Sequence, residues 1–127
     1  SFAYSDVAVD NTCVTEEGVD ITATVTNIGD MAGGETVQVY VKVCREGTPN
    51  AQLKGIQKLH LAAGESTVVE LHLPKEAFGL YDEDGVLRIE DGTVKVYIGG
   101  QAPDSRSEQL TGEKVTEIIL NVPAKLA

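Results

Sequence analysis

The sequence predicts an all-β protein, an antiparallel sandwich of seven or more short strands, and three observations carry that expectation. Apolar residues, most of them β-branched, return at every second position in segment after segment. Gly, Asn, Asp and Pro fall between those segments, where the chain must turn. Nowhere does a long stretch show the 3.6-residue period of an amphipathic helix. Strict alternation is the mark of a strand with one face in a core, and several such strands joined by turns close into two packed sheets.

The elements follow in order. Val7 and Val9 mark a short first strand. Val19, Ile21, Ala23 and Val25 alternate with Asp20, Thr22, Thr24 and Thr26 in the second. Asn27-Ile28-Gly29-Asp30 and Gly33-Gly34 are expected to separate it from a third, where Val37, Val39, Val41 and Val43 alternate with Gln38, Tyr40, Lys42 and Cys44. Ile56, Leu59 and Leu61 mark a less regular strand, and Ala63-Gly64-Glu65 turns the chain into Val69, Leu71 and Leu73. Pro74 through Phe78 reads as a helical turn with Pro at its first position. Asp84-Gly85 predicts a tight two-residue hairpin with positive φ at both central residues, and Asp91-Gly92 repeats the signal. Val94, Val96 and Ile98, then Thr116, Ile118, Leu120 and Val122, complete the set. Val25, Val39, Val41, Leu71, Val96 and Ile118 are expected to share one core, since β-branched side chains suit a pleated surface packed on one side.

Composition bounds the function. A chain of 127 residues with 42% hydrophobic content fits one domain with an ordinary core. Its formal net charge of −10 repels phosphate backbones and anionic lipid, so neither nucleic acid nor a membrane surface is an expected partner. No apolar run is long enough to span a bilayer as a helix. The opening residues Ser1 to Asp6 lack the basic and apolar regions of a secretion signal, and a start at Ser rather than Met suggests a segment of a longer polypeptide. Cys13 and Cys44 belong to no metal-binding pattern and read as free thiols, which favours a reducing, cytoplasmic setting.

Each candidate for chemistry fails on its pattern. His60 and His72 are the only histidines, and neither has a metal partner at a useful spacing. Asp82-Glu83-Asp84-Gly85 has calcium-loop composition without the ligand spacing, and Glu90-Asp91 does not complete it. The same carboxylates at a hairpin tip lack the enclosure that a glycosidase acid requires. No nucleophile elbow and no phosphate loop is present. The expectation is therefore no catalytic residue, no cofactor and no metal. The remaining unusual feature is aromatic: by strand parity Tyr40 and Tyr97 both point away from the core, in a chain with no Trp. They pair across strands on a wet sheet, or they form a contact surface for another domain or a glycan.

Three ordered stretches resemble the fibronectin type III-like domain attached to glycoside hydrolase family 3 enzymes. The first is Val25-Thr26-Asn27-Ile28-Gly29 with Gly34 through Val41. The second is Leu53-Lys54-Gly55-Ile56, then Leu61, Ala63-Gly64-Glu65 and the strand ending at Leu73-Pro74. The third is Leu80-Tyr81-Asp82, Asp84-Gly85, and Gly92 before Val94 through Gly100. The order and spacing match over residues 4 to 112. Leu87 stands where the family often has an aromatic, and Gln101-Ala102-Pro103-Asp104 replaces a usually Ser-rich stretch. The resemblance implies an immunoglobulin/fibronectin type III-like sandwich over residues 1 to 112, with residues 113 to 127 giving a final strand and a tail or linker. It also implies a non-catalytic accessory module of a parent exo-glycosidase of the β-glucosidase type. The partners it implies are the parent's other domains; strand parity offers Tyr40 and Tyr97 as the face that meets them, with the Leu53-Lys54-Gly55-Ile56 edge as the other place. The alternative is an independent carbohydrate-binding or adhesion module making weak glycan contacts.

Overall fold

A computed structural model describes residues 1–45, 47–103 and 115–126. The strands are β1 (Phe2–Val9), β2 (Val19–Asn27), β3 (Gly33–Val43), β4 (Gln52–Leu61), β5 (Ser66–Leu73), β6 (Leu80–Tyr81), β7 (Leu87–Arg88), β8 (Gly92–Gly99) and β9 (Thr116–Val122). One sheet has the order β1-β2-β5 and the other β4-β3-β8-β9, with β6 and β7 as a separate ribbon. All strand pairings are antiparallel. The chain changes sheet between β2 and β3 and again between β4 and β5, so the two inner faces are built from interleaved segments. This is the architecture that the alternation predicts.

The core is the inner face of both sheets. Val25, Val39, Val41, Leu71 and Val96 are buried as expected, together with Ile21, Val37, Leu73 and Ile98. Ile118 departs from the expectation: it packs against the core but is only half-buried. The cause is its position, because β9 is one of the two outermost strands of its sheet. Only its far part is covered, where residues 12–14 run alongside: Val14 donates to the Asn121 carbonyl at 2.9 Å and Asn121 donates to Thr12 at 2.9 Å. Leu120 and Val122 lie under that cover and are buried.

Three turn expectations need correction. Gly33-Gly34 does not separate strands but opens β3, paired with Leu61 and His60. Asp84-Gly85 does not make a two-residue hairpin. The loop runs from Asp82 to Val86, closed by a Gly85 N–H to Asp82 carbonyl bond of 3.0 Å, and only Gly85 has positive φ, at 78°. That is an ordinary turn followed by a left-handed glycine, which leaves Asp84 in a conformation any residue tolerates. Asp91-Gly92 joins two sheets rather than two hairpin strands, since β7 pairs with β6 while β8 pairs with β3 and β9. Pro74 sits one position ahead of the expected place, as the extended residue preceding a 3-10 turn at Lys75–Phe78, and that turn drops Phe78 into the core.

Two outer strands carry irregular registers. In β4, Val39 faces Gly55 while Tyr40 faces Leu53, so Lys54 is an extra residue. Ile56 stands three positions from Leu59 in the regular part of the ladder and so faces outward while Leu59 and Leu61 stay inside, and the bulge then turns Leu53 to the outer face as well. In β1, Ser5 faces Thr24 and Ala8 faces Thr22, with Asp6 at a φ of 50° in between. Cys13 and Cys44 are both free thiols in the structure.

Candidate interdomain surface

Strand order brings Tyr40 and Tyr97 directly opposite each other on β3 and β8. Parity could assign them a face but could not make them neighbours. Leu53 of β4 is the partner of Tyr40 on the other side, so Leu53, Tyr40 and Tyr97 form a row across three strands. Ile56 lies opposite Gln38 in the next outward row, and Ile119 lies opposite Lys95 on β9, diagonal to Tyr97. Leu53, Ile56 and Ile119 are exposed, and both tyrosines are half-buried among their neighbours. The tyrosine site and the Leu53-to-Ile56 edge are thus one continuous surface rather than two.

Polar contacts hold this surface in shape. The Tyr40 hydroxyl donates to Gln38 Oε1 at 2.8 Å, and Gln38 Nε2 donates to the Gly100 carbonyl at 3.2 Å. Lys95 Nζ lies 3.4 Å from Glu117 Oε1, the residue opposite Tyr97. Burial pushes the Tyr97 phenol above its ordinary pKa, the nearby Glu117 carboxylate adds to the rise, and Lys95 works against it. Glu117 in turn raises the ammonium pKa of Lys95. Lys42 stands opposite Lys95, a like-charge pairing that weakens a sheet. Its own contact is the Pro49 carbonyl at 3.4 Å.

Asp82, the best-placed carboxylate of the acidic hairpin, is occupied by its own loop: Oδ1 accepts from the Asp84 and Val86 amides at 2.9 Å each, and Oδ2 accepts from Arg88 Nε at 2.9 Å. The Val86 amide and then Arg88 hold its pKa below the usual carboxylate range. A glycosidase acid needs the opposite shift. Among the described residues no cluster of three or more His, Cys, Asp or Glu could hold a metal. His72 Nδ1 lies 2.6 Å from Asp20 Oδ1 on the open outer face of the other sheet. The sequence hinted at this pair only through the outward parity of both residues.

A family model described as a fibronectin type III-like domain matches residues 35–102, more than half of the chain. The chain belongs to the fibronectin type III-like domain family. Its relatives specify the branch. Thermostable beta-glucosidase B of Acetivibrio thermocellus is 36% identical over 107 residues, which are 81% of this chain and 14% of that protein. An exo-alpha-(1->6)-L-arabinopyranosidase of Bifidobacterium longum is 33% identical over 108 residues, 80% of this chain and 14% of that protein. The structure of the Bifidobacterium adolescentis GH3 beta-glucosidase superposes with a TM-score of 0.79 at 28% identity, covering 96% of this chain and 17% of that one. This fibronectin type III-like domain is of the kind found in GH3 beta-glucosidases, and it corresponds to a small part of each relative's length.

Proposed function

We infer that the chain is a non-catalytic accessory module of a glycoside hydrolase family 3 polypeptide of the β-glucosidase type, and that it packs against its parent's other domains through the outer face of the β4-β3-β8-β9 sheet. The observation that carries this reading is the row Leu53–Tyr40–Tyr97, extended by Ile56 and Ile119, in a chain of net charge −10. Aromatic and large aliphatic side chains are enriched at interfaces because each buries a large area, and Tyr keeps a polar tip for hydrogen bonding. The Lys42–Lys95 juxtaposition supports the same reading, since a carboxylate from outside would relieve the repulsion. The sugar that the parent cleaves is set outside this module: domains this similar occur in proteins named for β-glucosidase and for arabinopyranosidase activity.

The test uses the full parent polypeptide with Tyr40→Ser and Tyr97→Ser together. A lowered melting midpoint or reduced activity is expected, and an unchanged parent would place the interface elsewhere. Separately, the 127-residue chain is expected to show no turnover of aryl β-glucosides or β-xylosides. Hydrolysis that scales with protein and survives purification would overturn the non-catalytic assignment.

One feature favours the second reading, a weak glycan contact. Tyr81 is 72% exposed at the rim of a groove of about 300 Å3 that Thr48, Gln52 and Lys54 also line. An exposed ring beside an amide and an ammonium suits the apolar face and hydroxyls of a pyranoside. Glycan-array binding lost in Tyr81→Ala would support it.

A further inference from the structure

Asn27 is the one polar side chain among the described residues that is fully buried, at 1% exposure. Every hydrogen-bonding group it has is used. Nδ2 donates to the Met31 carbonyl at 2.9 Å and the Leu61 carbonyl at 3.1 Å, and Oδ1 accepts from the Gly29 amide at 2.9 Å. Its main chain donates to the Glu65 carbonyl at 2.9 Å and accepts from Gly64 at 2.8 Å. The next residue, Ile28, donates to the Ser1 carbonyl at 3.0 Å. One amide therefore fastens the β2–β3 loop to the β4–β5 turn, and the Ile28–Ser1 bond fastens the loop to the start of the chain. Breaking up a buried network of this kind leaves unpaired groups, so the loop is held in one shape.

What the loop does with that shape is unusual. Its two large apolar side chains, Ile28 at 62% and Met31 at 77% exposure, face solvent instead of packing on the domain's own core. Ala32, Ala62 and Ala63 are exposed on the same fastened pair of loops. A single exposed aliphatic residue needs no explanation. Two of them on a loop fixed by a buried amide make a preorganised apolar cap, which loses little conformational freedom on docking. An unbranched Met adapts to an irregular partner surface.

We propose that this cap, centred on Ile28 and Met31, docks onto aliphatic surface of the parent polypeptide at the end of the sandwich where Ser1 lies. The proposal rests on the reading that the chain is a module of a larger enzyme, as its 14% share of the Acetivibrio relative suggests. Geometry selects the occupant. Ser1 is bonded to Ile28, so in a polypeptide of the relatives' kind any residue joined to Ser1 emerges beside the cap. The last described residues, Ala124–Leu126, follow the end of β9 at the opposite end of the sandwich, where Gly92 pairs with Val122.

Met31 is the only methionine in the 127 residues, so it reports on its own cover. The parent polypeptide is treated with dilute hydrogen peroxide, native and in denaturant, and sulfoxide at Met31 is followed by peptide mass spectrometry. Covered by the parent, Met31 is expected to oxidise at least about tenfold more slowly in the native protein. A native rate within about threefold of the denatured one would overturn the proposal. Protection that disappears on dilution would also overturn it, by making the occupant a second copy. The two interfaces are separable. If Met31 oxidises freely while the Tyr40→Ser, Tyr97→Ser parent is destabilised, the module docks but not through this cap. If Met31 oxidises freely and that parent is unchanged, both readings fail. Ile28→Ser keeps every bond that Asn27 makes, and is expected to raise the oxidation rate of Met31 in the parent. An unchanged rate would count against the cap.

Discussion

The two sheets present the same kind of inner face and very different outer ones. Inside, both are lined with Val, Ile and Leu. Outside, the β1-β2-β5 sheet shows Ala3, Ser5, Thr22, Thr24, Thr26 and Ser66, small and mostly hydroxylated, with the Asp20–His72 pair toward one end and Val68 as its one exposed large aliphatic residue. The Thr26 and Ser66 hydroxyls lie 2.7 Å apart and satisfy each other. The β4-β3-β8-β9 sheet instead carries Tyr40 and Tyr97, Lys42, Lys58 and Lys95, Glu117, and the aliphatic Leu53, Ile56 and Ile119. Threonine has a high strand propensity and asks nothing of a partner. Folding therefore accounts for the first outer face, whereas the second holds more apolar and aromatic surface than folding alone requires.

The largest effects are expected on the inner faces. Val39→Ala and Leu71→Ala, one from each sheet, are each expected to destabilise the domain by about 1–4 kcal/mol through lost burial and a residual cavity. Denaturant melts measure this, and negligible losses at both would mean the strand faces are inverted. The outer faces should then separate in the parent polypeptide. Thr24→Ala is expected to cost about 0.5 kcal/mol or less, as exposed sheet substitutions do. Tyr97→Ala is expected to cost about 1 kcal/mol from its cross-strand pairing alone, and more if the parent covers it. Equal costs at the two positions would erase the distinction between the faces.

The smallest effect sharpens the picture of Tyr97. Its phenol is raised by burial and by Glu117. A raised folded-state pKa contributes stability that is fully present below the unfolded value near 10, and is lost as pH rises through the folded one. Carbon NMR of labelled tyrosine ring carbons should place the Tyr97 midpoint above that ordinary value. Glu117→Gln should bring it partway back while burial keeps it raised. No movement in Glu117→Gln would mean that the carboxylate does not act on the ring.

Much of the fold was legible because period two is a local signal. The valines at 37, 39, 41 and 43 declare their face without reference to any other strand, and all four are buried. What was not legible depends on pairing. Leu53 has the parity of Leu59 and Leu61, but the extra Lys54 in β4 turns it to the outer face beside Tyr40, and a bulge has no composition of its own. Ile118 has the right parity, but edge position decides its burial, and strand order is not written in periodicity. The candidate surface was half visible for the same reason: parity gave Tyr40 and Tyr97 a face, whereas their adjacency, and the joining of Leu53 and Ile56 to them, came from sheet order. The cap formed by Ile28 and Met31 gave no sequence signal, because exposed aliphatic residues and buried ones are the same letters.

The irregular registers of β1 and β4 bear on how such a unit is inherited. Each is one of the two outermost strands of its sheet, and each has its ladder interrupted, at Asp6 and at Lys54. A long regular edge is a template on which a second chain can crystallise as one more strand, and an interruption with a charged residue removes that template. A gene segment encoding such a unit can be copied into new hosts, or pass through partly synthesised and crowded states, without knitting its products together. Transfer of such a segment between polypeptides then becomes a more tolerable evolutionary event, since two of the four edges of the two sheets, β1 and β4, are interrupted.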